Sequence, residues 1–99
     1  MNARVDKALI LYTALECLAP GDPLTLRSLA VAQLKSGHPD QALGTLDRLA
    51  MAGEIDMTFH LLRAKALIAL GRIEESRVAI GNYIDMRANN LPSGRPTQS

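Results

Sequence analysis

The chain has 99 residues, 47% of them apolar, which suits one domain with a modest core and is too apolar for a disordered chain. Its net charge is +1 with both signs scattered, so there is no basic stripe to neutralise phosphates, and no stretch approaches the roughly 18 apolar residues that span a bilayer. The single cysteine excludes an internal disulfide, and no charged start leads into an apolar signal core, so the cytoplasm is the expected location. Leu, Ala, Ile, Val and Met dominate the apolar content, and the only aromatics are Tyr12, Phe59 and Tyr83. That composition favours an all-α fold over a sandwich or barrel.

Five helices are expected, near 3–19, 23–36, 39–52, 56–70 and 73–89. In the first, Cys17 lies beside Leu15 and Leu18 and reads as a buried, inert thiol. Asp22-Pro23 supplies an N-cap followed by proline at the first position of the second helix. Gly37-His38-Pro39 ends that helix and opens the third. Gly53 breaks the chain, and Asp56 caps the fourth helix. Gly71-Arg72 makes the last tight turn, and Glu74-Glu75 favours the positive end of the fifth helix. Gly44 and Gly81 fall inside helices, each at a cost of about 1 kcal/mol relative to Ala, with close helix contact as the expected compensation. Residues 91–99 contain two prolines and little that packs, and they read as a disordered tail after a domain over 1–90.

A single interval of ~34 residues organises these elements. It separates Gly37 from Gly71, Ala30 from Ala64 and Leu26 from His60, and it links the series Ala8, Ala42, Ser76 and the series Tyr12, Leu46, Ile80. The small residues suit close approach of two helix backbones, and Leu46 and Ile80 suit the gap to the next helix. The spacing resembles the tetratricopeptide repeat: hairpins of an inner and an outer helix, here about five antiparallel helices in a short right-handed superhelix. At repeat spacing Ala3 falls where the turn glycine belongs, so the first repeat lacks its inner helix and is read as shortened upstream. Leu9, Ile10, Leu11 and Tyr12 would then need a partner or a second copy, giving a homodimer through the incomplete first repeat.

In this arrangement the inner helices line a groove. The first offers Leu24, Arg27, Ser28, Val31, Leu34 and Lys35; the second offers Thr58, Leu61, Leu62, Lys65, Ile68 and Ala69. Leu26, Leu29 and Ala30 belong to the core. The mixture of aliphatic side chains and a few cations suits the apolar face of an amphipathic helix or an extended apolar segment. Arg27 and Lys65 are expected to be solvated, or paired with carboxylates of a partner, because a buried lone cation is expensive. Aspartate at Leu61 and Leu62 is expected to abolish binding and leave the helices intact.

Catalysis is not expected. His38 and His60 lie far apart in the chain without metal-ligand spacing, the serines have no triad-like setting, and no glycine-rich phosphate loop occurs. No cofactor and no nucleic acid is implied.

The order Arg4-Val5-Asp6-Lys7-Ala8, Pro20-Gly21-Asp22-Pro23, Leu26-Arg27-Ser28-Leu29-Ala30, Leu61-Leu62-Arg63-Ala64 and a final helix ending Tyr83-Ile84-Asp85-Met86-Arg87 resembles the small tetratricopeptide chaperones of bacterial type III secretion. The likeness is to the YscY (SctY) kind, over about residues 4–90. The resemblance implies a small secreted partner of the YscX kind, kept soluble and brought to the export-gate protein of the inner membrane, with no insertion of the chain itself. A chaperone for membrane-inserting translocators and a structural module for self-association are the alternatives.

Overall fold

The computed structural model describes residues 3–89. The expected tail over 91–99 lies outside the described residues. Five helices follow one another: α1 (Ala3–Leu18), α2 (Pro23–Lys35), α3 (Pro39–Met51), α4 (Met57–Ala69) and α5 (Ile73–Asn89), and there is no strand among the described residues. The expected boundaries differ mainly by one residue, because Ser36, Ala52 and Leu70 are C-caps and Asp56 is an N-cap rather than a first helical residue.

The period is visible in the backbone itself. Gly37 and Gly71 both adopt a left-handed conformation, with φ of 81° and 76°. The His38 amide donates to the Gln33 carbonyl at 2.8 Å and the Arg72 amide to the Leu67 carbonyl at 2.9 Å. Gly37 donates to Leu34 and Gly71 to Ile68 in the same way, so one Schellman ending recurs a full repeat later. The starts repeat as well. The Asp22 carboxylate accepts the Thr25 amide at 2.9 Å, and the Asp56 carboxylate accepts the Phe59 amide at 2.9 Å.

Short connections fold each helix back on the one before it, and α2 also touches α4. Leu26, Ala30, Leu46, Leu49, Phe59 and Leu62 form the larger buried cluster, and Ala64, Leu67 and Ala79 the smaller one. Leu43 packs against both and joins the two hairpins. Leu26, Leu29 and Ala30 are buried as expected, and so are Ala42 and Leu46. Repeat positions are matched in kind as well as size. Buried Thr45 donates its hydroxyl to Gln33 at 2.7 Å, and one period later the two positions are Ala79 and Leu67, both apolar and both buried. Exchanging only one member would leave a buried polar group without its partner.

Three expectations about packing are corrected. Ile80 fills no gap: it is 37% exposed, because no described helix follows α5 on that side. Cys17 is exposed: α1 packs against α2 and reaches α3 through Glu16, and Cys17 lies on its outward face. Gly44 and Gly81 are not sites of close contact; a Cβ added at either would meet nothing within 4 Å. Their helix cost is therefore uncompensated. Gly44→Ala and Gly81→Ala are each expected to raise the unfolding free energy by about 1 kcal/mol, read from urea titrations of the single variants.

Two exposed carboxylates carry pH sensitivity. The backbone amide of Thr25, then its hydroxyl, holds Asp22 below the usual carboxylate range, and the Arg72 guanidinium does the same for Glu75 through hydrogen bonds of 2.7 Å. A lowered folded value means that the stabilisation is complete above the unfolded carboxylate value, about 4, and is lost as pH falls through the lowered one. Stability measured from pH 7 downward should fall below about pH 4, and less steeply in Asp22→Asn, which keeps the cap without the titration.

Candidate functional site

The α2–α4 contact creates two adjoining depressions. The first, about 480 Å³, is lined by Ala8 and Tyr12 of α1, Arg27, Ser28, Val31, Ala32 and Lys35 of α2, and Thr58 of α4. The second, about 280 Å³, is lined by Val31, Leu34 and Lys35 of α2 with Leu62, Lys65 and Ala69 of α4. Val31 and Lys35 belong to both, so the two form one trough running across the inner helices. The 3.6-residue period explains the lining on α2, where residues 27, 28, 31, 34 and 35 share one face.

Arg27, Ser28, Val31, Leu34, Lys35, Thr58, Leu62 and Lys65 are thus brought together. Leu24, which is 69% exposed, Leu61 and Ile68, 49% exposed, line neither depression. Leu62 touches the trough, but it is only 6% exposed and packs in the main core cluster. Aspartate there would put a charge into the core, so the expectation that a Leu61 and Leu62 double replacement leaves the helices intact is corrected.

The cations also differ from expectation. Arg27 is held by its own chain: Nη2 lies 3.0 Å from Asp56 Oδ2 and 3.8 Å from Glu54 Oε1, at the turn between α3 and α4. Asp56 therefore caps α4 with one oxygen and anchors Arg27 with the other. Lys35 and Lys65 are exposed and have no carboxylate partner among the described residues. No acidic side chain lines either depression. The trough is consequently aliphatic along its floor and positive at its edge.

Ala8, Tyr12 and Ala32 were not foreseen in the lining. Ala8 and Tyr12 come from an outer helix, and the repeat series that contain them signalled packing rather than exposure. In the structure α1 packs against α2 yet leaves the Ala8 and Tyr12 side chains partly open. The Glu16 carboxylate fixes α1 in place by pairing with Arg48 of α3.

The tetratricopeptide repeat family matches residues 23–48 and 57–80, two segments that begin at α2 and at α4, one repeat length apart. The chain belongs to that family. In tetratricopeptide terms, α2–α3 and α4–α5 are the two matched repeats, and α1 takes the register of an outer helix preceding them. No curated protein and no solved structure matches the chain. Tetratricopeptide hairpins bind other proteins, and the trough between the inner helices is where these two repeats offer a continuous surface. Among the described residues no helix is long and apolar enough to cross a membrane, and no three His, Cys, Asp or Glu side chains gather in a metal-like group.

Proposed function

We propose that the chain is a holding protein, a chaperone or adaptor that seats a segment of another polypeptide in the α2–α4 trough. The observation that carries this reading is the pairing of an aliphatic floor, Val31, Leu34 and Leu62, with two unpaired ammonium groups, Lys35 and Lys65. An amphipathic helix with aliphatic residues on one face and carboxylates at its margin matches both features. No catalytic role and no cofactor forms part of this reading.

Within that role we place the chain among the type III secretion chaperones of the YscY kind, cytoplasmic and delivering a small secreted protein of the YscX kind to the export gate. What supports the finer assignment is the residue order and the Tyr83-containing last helix. Expression of the tagged chain in a secretion-competent bacterium, followed by identification of what co-purifies, tests it. A small secreted protein bound one to one is the expected result. A translocator with membrane-inserting segments would select the other chaperone class, and recovery of the chain alone would remove the holding role.

A further inference from the structure

We infer that the outward face of α1 docks against α1 of a second copy, the two helices antiparallel with Ala14 on the two-fold axis. This goes beyond the holding role and uses different residues. The face consists of Lys7, Ile10, Leu11, Ala14, Cys17 and Leu18, all exposed and all within about 60° of Ala14 at 100° per residue. Ile10, Leu11 and Leu18 are 69%, 55% and 81% exposed.

Repeat equivalence separates this face most clearly from that of α3; α5 shares only the aliphatic residue at the first outermost position, Val78, which is 66% exposed. Leu11 and Leu15 stand one repeat before Thr45 and Leu49, which are 6% and 0% exposed because α2 covers them or their cluster. In α1 the same positions are 55% and 38% exposed, and no described helix occupies the equivalent seat. The outermost positions differ in chemistry too. Where α1 has Ile10 and Ala14, α3 has Gly44 and Arg48, and α5 has Val78 and Asn82. An outer helix of this fold normally shows water a more polar surface than α1 does.

A second copy fits this face on charge, shape and area. Between Lys7 and the helix end the face carries no charge, so a highly charged partner gains nothing there. At its carboxyl end α1 has no basic residue in the last turn, and Asp22 lies exposed just beyond. Antiparallel pairing sets Lys7 of each copy beside the negative helix end and Asp22 of the other, whereas parallel pairing sets lysine against lysine. Ala14 at the crossing permits close approach. The exposed aliphatic side chains offer on the order of 500 Å² per copy, so a pair buries roughly 1,000 Å², near the lower limit for a specific interface. That predicts a reversible dimer with a micromolar Kd. The apolar residues of α5 are a poorer seat, since Ile84 is flanked by exposed Asp85 and lies one turn from exposed Arg87.

The test is sedimentation equilibrium of the whole chain from about 1 to about 200 μM, with Ala14→Arg and Leu18→Glu beside the wild type. Ala14→Arg installs the residue that α3 carries in the same register, and both positions are exposed, so helical circular dichroism should be unchanged. The wild type should pass from the 10.7 kDa monomer to twice that mass, and each variant should dimerise about 100-fold more weakly. The register has its own check. With Ala14 on the axis the two Cys17 Cα atoms are about 9 Å apart along the helices alone, beyond the roughly 7 Å limit for a disulfide, so oxidation should not cross-link the dimer. A wild type monomeric at every concentration, variants that dimerise like the wild type, growth beyond a dimer, or a Cys17 cross-link would each overturn the inference. None of these results bears on the trough, whose failure would be read from partner capture instead.

Discussion

Leu62→Asp is expected to leave the chain largely unfolded at room temperature, whereas Leu61→Asp, one residue away, is expected to cost about 1 kcal/mol or less. Leu62 packs with Leu26, Ala30, Leu46, Leu49 and Phe59 and is 6% exposed. Truncating such a leucine alone costs about 2–5 kcal/mol through lost transfer energy and an incompletely collapsed cavity. A carboxylate there must also be desolvated or take up a proton, which adds several kcal/mol. The sum reaches the roughly 5–15 kcal/mol that stabilises a typical domain. Leu61 lies on the adjacent, partly exposed side of α4 and lines no depression, so it loses mainly some packing and a few tenths of a kcal/mol of helix propensity. Far-ultraviolet circular dichroism of the two single variants, with urea titration of the folded one, reads both effects. Similar behaviour of the pair would mean that the α4 face is rotated from its described position.

Reversing both free ammonium groups, Lys35→Glu with Lys65→Glu, is expected to weaken capture of the co-purified partner by about 100-fold, equivalent to ~2.7 kcal/mol, with the melting temperature unchanged. The stability half follows from exposure, because neither lysine has a described partner to lose. The binding half follows from the position of the two groups on the rim of an uncharged trough. Each loses an attraction to a carboxylate of the guest and gains a repulsion, and the neighbouring apolar contacts keep water away from both. Isothermal titration at two salt concentrations separates this from a packing effect. The wild type should weaken with salt, and the reversed variant should respond little or in the opposite sense. Arg27 would not serve for this test: its replacement releases Asp56 and Glu54 and disturbs the α4 cap.

How far the sequence could be read depends on what each feature requires. Helix ends need only local chemistry, so Asp22, Gly37, Asp56 and Gly71 announced them, and the bonds that recur from one repeat to the next confirm the reading. Core positions such as Ala30 and Ala42 were legible because the repeat supplied each of them again, as Ala64 and Ser76, and all four are buried. The rim of the trough was less so. Both Leu61 and Leu62 are apolar, and α4 carries apolar residues on most of its circumference, so periodicity could not tell which one faces inward. Arg27 meets Asp56 from the far side of α3, a contact between distant parts of the chain that no local pattern encodes. The outward side of α1 was misread at Cys17 for a related reason: the helix is apolar on nearly all sides, so its sequence does not say which side has a neighbour.

The claim on which the rest depends is that the guest lies across α2 and α4. Amide chemical-shift mapping of the labelled chain, titrated with its co-purified partner, tests it most directly. The account predicts that signals of Val31, Leu34, Lys35, Lys65 and Ala69 move while those of Asp47, Arg48 and Met51 on the back of α3 stay in place. Movement confined to α3, with the α2 and α4 signals unmoved, would contradict it.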